Sequence, residues 1–149
     1  MAPAFKDCTA EPEQFFSILP PDWQEAIRPF WPGYGGSARI YILESPGETL
    51  GGGIVFSTVS PDTMFYQEEA QQWFSRGYLY IGFLWVAEQY RGRKLGGGWL
   101  EALFLHYPGQ RFWLAIEDIQ LLHFYERYGF RLVKEVSGED GVEWILAKG

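Results

Sequence analysis

Leu84-Trp85-Val86-Ala87-Glu88-Gln89-Tyr90-Arg91-Gly92-Arg93-Lys94-Leu95-Gly96-Gly97 decides how this chain folds. Its first residues close an apolar run, Tyr78 to Val86, that reads as a strand covered on both faces. Its last residues open Leu95 to His106, where Leu95, Trp99 and Leu103 recur at every fourth position with Leu100 and Phe104 beside them. That spacing is helical. Between strand and helix lie Arg91, Gly92, Arg93 and Lys94. Amide N–H groups at a helix start have no partner in the helix and point at whatever anion lies ahead. Glycine lets a phosphate come close to the backbone, and neighbouring cations attract it. The segment Arg91, Gly92, Arg93, Lys94, Leu95, Gly96 and Gly97 is therefore expected to hold a pyrophosphate.

Three consecutive glycines support this reading. Each costs a helix about 0.8–1 kcal/mol against alanine, so a purely structural helix would not be expected to start with Gly96, Gly97 and Gly98. Gly96 and Gly97 are expected to approach the ligand and Gly98 to permit close packing.

Outward from this core, helices are expected over Glu11 to Leu19 and Pro21 to Phe30, the latter with Asp22 and Glu25 near its start. Trp31-Pro32-Gly33-Tyr34-Gly35-Gly36 breaks the helix. Ser37 to Glu44 and Leu50 to Thr58 read as a hairpin, and Gln67 to Ser75 as a short helix. Downstream of Pro108-Gly109, Arg111 to Ile116 is a strand. Ile119 to Tyr128 is a helix that Gly129 would cap, and Phe130 to Val136 with Val142 to Ala147 form a last hairpin. This order implies a single mixed α/β domain over residues 1–149, with a parallel crossover through the glycine-rich helix. In open α/β sheets, anions bind beyond the carboxyl ends of strands, where the Arg91 turn would lie.

Composition narrows the classes of function. Apolar residues make up 47% of the chain and aromatics 19%, as in a globular domain. The net charge of −7 argues against sequence-independent nucleic-acid binding and is compatible with a cationic or amine-bearing substrate, or with a role in solubility alone. No apolar run is long enough to span a bilayer, and no signal-peptide core opens the chain. A soluble, cytoplasmic protein is the expectation. Cys8 is the single cysteine, so neither an internal disulfide nor a cysteine metal cluster is expected.

Two segments resemble the GNAT superfamily of acyl-CoA-dependent N-acetyltransferases. Leu84-Trp85-Val86 followed by Gln89-Tyr90-Arg91-Gly92-Arg93-Lys94-Leu95-Gly96 is similar to the family's acetyl-CoA loop, Arg/Gln-x-x-Gly-x-Gly/Ala. Phe124-Tyr125-Glu126-Arg127-Tyr128-Gly129-Phe130 is similar to its later Phe-Tyr-x-x-x-Gly-Phe segment. The resemblance implies a GNAT-like mixed sheet flanked by helices. It also implies acetyl-CoA as acyl donor, no metal, and direct transfer to a primary amine of a small molecule or a peptide. Leu84 and Val86 would pair their backbone with the pantetheine arm, which requires the sheet to splay beside this strand. Tyr125 would protonate the departing thiolate.

The chain departs from the family pattern in three places. Lys94 stands where the loop has a glycine, and would fit there if its backbone takes a helical conformation. Asp118 replaces an asparagine. Tyr78-Leu79-Tyr80-Ile81-Gly82 lacks the carboxylate some families place on this strand. Glu88, Glu117, Asp118 and Glu68 remain open as bases, with His106 and His123 less favoured. Trp31, Tyr34, Tyr66, Trp73 and Phe74 would wall an acceptor pocket, pack as core or form a homodimer contact. The rival functional reading is a catalytically silent acetyl-CoA-binding module that acts on a protein partner. Nucleotide binding through the Arg91 turn alone is more remote.

Overall fold

Seven strands make one mixed sheet in the order β1-β2-β3-β4-β5-β7-β6, in a computed structural model that describes residues 2–149. The strands are β1 (Ala4–Asp7), β2 (Ala38–Ser45), β3 (Glu48–Phe56), β4 (Tyr78–Val86), β5 (Arg111–Ile116), β6 (Arg131–Ser137) and β7 (Val142–Lys148). The helices are α1 (Glu13–Phe16), α2 (Pro21–Ile27), α3 (Gln67–Ser75), α4 (Leu95–His106) and α5 (Leu122–Glu126). Short 3-10 turns cover Trp31–Tyr34, Pro61–Tyr66, Glu88–Tyr90 and Ile119–Leu121. The mixed α/β class and the crossover through α4 are as expected. The N-terminal residues add an edge strand: β1 pairs antiparallel with β2, Phe5 opposite Leu43. Four residues with one large apolar side chain carry too little pattern to announce a strand. Its pairing is supported from outside, by Lys6–Glu44 and Arg39–Asp7 ion pairs at 3.7 and 3.5 Å.

Helices cover both faces. A Cβ on Gly52 would lie 3.0 Å from Phe15 of α1, and one on its neighbour Gly53 would lie 2.8 Å from the Trp99 ring of α4. Successive strand residues face opposite ways, so α1 and α4 lie on opposite sides. Trp73 of α3 stacks on Trp113 of β5 at 6.1 Å, and Phe104 of α4 packs on Phe112 at 5.7 Å. Phe15, Phe56, Trp99, Leu103 and Trp113 are fully enclosed. The Trp99 indole N–H donates to the Tyr41 carbonyl at 2.9 Å, tying α4 to β2. Cys8 is a core residue, its thiol pushed up to about 12 chiefly by burial. Among the described residues no helix is long and apolar enough to cross a membrane.

Two irregularities shape the middle of the sheet. First, Ile54 pairs with Gly82 and Gly52 with Trp85, so Phe83 and Leu84 together oppose Gly53. This is a β-bulge, and Phe83 sits in it at φ 56°. Second, β4 and β5 run parallel for only three pairs, Tyr78–Arg111, Leu79–Phe112 and Tyr80–Trp113, and then separate. Beyond Tyr80 the two strands diverge toward their carboxyl ends, leaving the splay that the Leu84 and Val86 reading required.

Candidate active site

The split is flanked on one face by α4 and α5, each of which follows one of the diverging strands. The first intrahelical bond of α4 runs from Gly98 N–H to the Lys94 carbonyl at 3.0 Å. The N–H groups of Leu95, Gly96 and Gly97 therefore have no partner within the helix. Arg91, Gly92, Arg93 and Lys94 ahead of them are exposed. Ala87 N–H donates to the Leu50 carbonyl at 2.9 Å. By antiparallel alternation, Val86 turns its own N–H and carbonyl away from β3 and into the split. Arg91 Nε reaches that Val86 carbonyl at 3.2 Å, and its guanidinium lies 4.4 Å above the Trp85 ring. Trp85 in turn meets Trp23 of α2 at 5.1 Å.

Two readings of the loop are settled by the fold. The helical backbone on which the fit of Lys94 was conditional is not found: it takes the left-handed conformation, φ 60° and ψ 28°, as the residue that caps α4. The chain has to reverse sharply from the Arg91 turn into the helix, and this geometry suits the glycine usual at that point. Lys94→Gly is expected to stabilise the fold by up to about 1 kcal/mol by relieving this backbone cost. Urea unfolding checks it, and an unchanged or lowered midpoint would count against the strain.

The packing roles of the glycines are also redistributed. A Cβ on Gly97 would overlap the Tyr128 hydroxyl, and one on Gly96 would touch Phe124 at 3.4 Å, whereas Gly98 faces open space. Gly97, not Gly98, permits the close approach, because its phase on α4 points at α5. The two segments that carried the family resemblance thus meet side against side.

Tyr125 is buried on α5, edge-on to Phe124 at 5.0 Å and Phe130 at 5.7 Å. Burial alone pushes its phenol up to about 12, with no hydrogen bond contributing. The other titratable candidates divide clearly. Asp118 accepts from Gln120 N–H at 2.9 Å and caps the 3-10 turn before α5. His123 is exposed and pairs with Glu126 at 3.4 Å. His106 packs at a tilt against Tyr41 at 5.1 Å, far along α4 from its N-terminus. Glu68 and Glu88 are exposed.

Glu117 joins Asp140, Gly141, Val142 and Glu143 around a cavity of about 170 Å³ at the carboxyl end of β5. Glu143 was not among the sequence candidates. Its Oε1 accepts from the Tyr66 hydroxyl at 2.8 Å, and burial, chiefly, raises its carboxyl above the ordinary value. Nearby, the half-buried Asp62 accepts from Ser60 and Tyr80 hydroxyls, each at 2.6 Å, and burial raises it too. Of the five aromatics considered for a pocket, four are structural. Trp31 packs on Phe16, Tyr34 on Phe56, and Trp73 and Phe74 on Trp113. Only Tyr66 reaches the cavity wall. The aromatics that do stand on β4 beyond the split are Phe83 and Trp85, both against Trp23.

Comparison with known proteins bears on the fold and the family. No curated protein matches the chain in sequence. Solved structures resemble it over nearly their whole length. A GNAT family acetyltransferase from Elizabethkingia anophelis, solved with acetyl-CoA bound, has TM-score 0.67 at 15% identity, covering 97% of this chain and 96% of that one. An acyl-CoA N-acyltransferase from Pseudomonas aeruginosa has TM-score 0.65 at 16% identity, covering 100% of both chains. An IAA acetyltransferase from Bacillus cereus has TM-score 0.64 at 14% identity, covering 97% of each. These likenesses concern the fold. The family model described as "Acetyltransferase (GNAT) family" matches residues 8–130, most of the chain. With that match spanning both the glycine-rich loop and the Phe124–Phe130 segment, the chain belongs to the GNAT family of acetyltransferases and is an acyltransferase of that family.

Proposed function

We propose that this protein transfers an acetyl group from acetyl-CoA to a primary amine of a small molecule or peptide. The observation that carries the reading is the split between β4 and β5, opening beside a helix start with three unpartnered N–H groups. The backbone of Leu84 and Val86 offers a strand edge to the amide-bearing pantetheine arm. The N–H groups of Leu95, Gly96 and Gly97, together with Gly92, take the pyrophosphate. Arg93 and Lys94 add exposed positive charge in front of it. Arg91 plays a double part, since its guanidinium already rests on Trp85 and its Nε on Val86. It fixes the turn as well as adding charge.

With the donor so laid, its thioester lies in the gap between the strands, open to an amine from the face that α2 and α3 flank. Tyr125 of α5 serves the leaving sulfur. Mechanistically, the amine nitrogen attacks the thioester carbonyl carbon, the C–N bond forms, and the C–S bond breaks with its electrons on sulfur.

Calorimetric titration with acetyl-CoA tests the donor assignment. The wild type is expected to bind, and the Arg91→Ala, Lys94→Ala double variant to bind about tenfold more weakly. Equal affinity in the two proteins would remove the pyrophosphate from this loop. Mass-spectrometric detection of an acetylated amine separates an enzyme from a silent binding module.

A further inference from the structure

We infer that Glu143 is the general base of the transfer, accepting a proton from a cationic primary amine that enters the cavity at the carboxyl end of β5. This inference rests on the donor reading above. The position follows from the register. Ile116 pairs with Trp144 and Ala115 with Ile145, so the next pair sets Glu117 opposite Glu143 on the face of Trp113. That face carries α3, and from its leading turn Tyr66 reaches Glu143. The cavity therefore lies on the β5 arm of the split, at the end where the strands stand apart. Ligands in open α/β sheets bind at such carboxyl ends.

The carboxylate is built into place. Tyr66 fixes Oε1 at 2.8 Å. Gly138 in the turn between β6 and β7 leaves room for Oε2, where a Cβ would overlap it. The charged groups that bear on Glu143 come from three elements: Glu117 beyond β5, Asp140 in the β6–β7 turn, and Asp62 in the turn before α3. All are acidic, and none of Glu117, Asp140 and Glu143 has an ion-pair partner among the described residues. Lys134 on β6 is committed to Glu69 at 2.8 Å.

A cavity of one sign with a held carboxylate suits an ammonium head followed by a few carbons. Burial and the like charges around it hold Glu143 above the ordinary carboxylate range, which makes it a better proton acceptor near neutrality. Glu117 is exposed and unheld, and Asp118 is spent on its cap.

The step balances. The ammonium gives one proton to Glu143, which releases it to water, and the neutral amine attacks. As the C–S bond breaks, the Tyr125 hydroxyl passes its proton to sulfur and receives the second nitrogen proton. Amide, free thiol and one released proton result.

The test compares wild type, Glu143→Gln, Glu143→Asp and Tyr66→Phe, using acetyl-CoA with phenethylamine and cadaverine as probe amines. Wild-type kcat/KM is expected to fall as pH drops through the Glu143 value. Glu143→Gln should lower the rate at least tenfold at neutral pH and abolish that limb, with acetyl-CoA affinity unchanged by calorimetry. Glu143→Asp should restore part of the rate. Tyr66→Phe removes the hydrogen bond that holds Glu143 down, and should move the limb to higher pH. Wild-type rate and limb in Glu143→Gln would overturn the inference and leave the donor reading intact. So would a wild type that binds acetyl-CoA and acetylates neither probe. A wild type that binds no acetyl-CoA would overturn both.

Discussion

Tyr125→Phe is expected to lose about two orders of magnitude in kcat while binding acetyl-CoA as the wild type does. The phenol, pushed up to about 12 by burial, stays protonated at any working pH. A thiol resembling cysteine titrates near ~8.5, so outright transfer from Tyr125 to the thiolate would be uphill by about 3.5 pK units, about 5 kcal/mol. In the proposed mechanism Tyr125 would therefore act as a donor to the charge developing on sulfur, its proton moving on only as the amine's second proton replaces it. A hydrogen bond to a charged group contributes about 1.5–3 kcal/mol, and the upper part of that range is the hundredfold expected. Phenylalanine preserves the edge-on contacts with Phe124 and Phe130. The hydroxyl has no hydrogen bond to lose in the folded chain, so thermal stability should hold. Steady-state kinetics with calorimetric affinity measures both halves. A kcat within twofold of wild type would take the acid role from Tyr125.

Gly52→Ala is expected to destabilise the protein by about 3 kcal/mol, lowering the thermal midpoint by about 10 °C. The added methyl would lie 2.6 Å from the Tyr41 carbonyl, 2.9 Å from Ile42 Cγ2 and 3.0 Å from Phe15 Cδ1. The first of these is backbone of the neighbouring strand, paired in the middle of the sheet. It cannot retreat without opening the β2–β3 ladder. Gly36→Ala serves as the control, because nothing lies within 4 Å of its Cβ position. Circular dichroism melts of the two variants decide the matter. Equal midpoints would mean that the strands part more easily than their packing implies.

How much of this was legible in the sequence depended on whether the cause was local. β4, α4 and β5 were readable to the residue, since an apolar run, a four-residue repeat and a Pro-Gly stop are local signals. The hairpin β2–β3 was equally plain, yet Gly51-Gly52-Gly53 within it passed without comment. Such a run inside a strand marks a bulge or a close approach, and it was the available signal for both. What bears on Gly53, the Trp99 ring and the Phe83 bulge, lies 30 to 46 residues downstream and takes shape only on folding. Glu143 was illegible for the same reason. It sits alone in a strand, and its partner Tyr66 is 77 residues away. Lys94 shows the opposite failure. The motif position was identified, but its residue type pointed to the wrong backbone conformation, because the turn's demand overrides the preference of the side chain.

The three pairs that join β4 to β5 divide the molecule mechanically. Four strands on one side and three on the other are two stiff plates meeting along a short seam, and across the gap the helices touch where Gly97 meets Tyr128. An acyl carrier whose amides pair with the free edge of β4 works as a removable stitch that lengthens the seam. On the proposed donor site the loaded molecule would be stiffer than the empty one, and each turnover would cut the stitch when the carrier departs. Any opening of the plates would thereby be tied to the presence of the carrier, and the acceptor's side of the gap would feel its arrival before any bond is made.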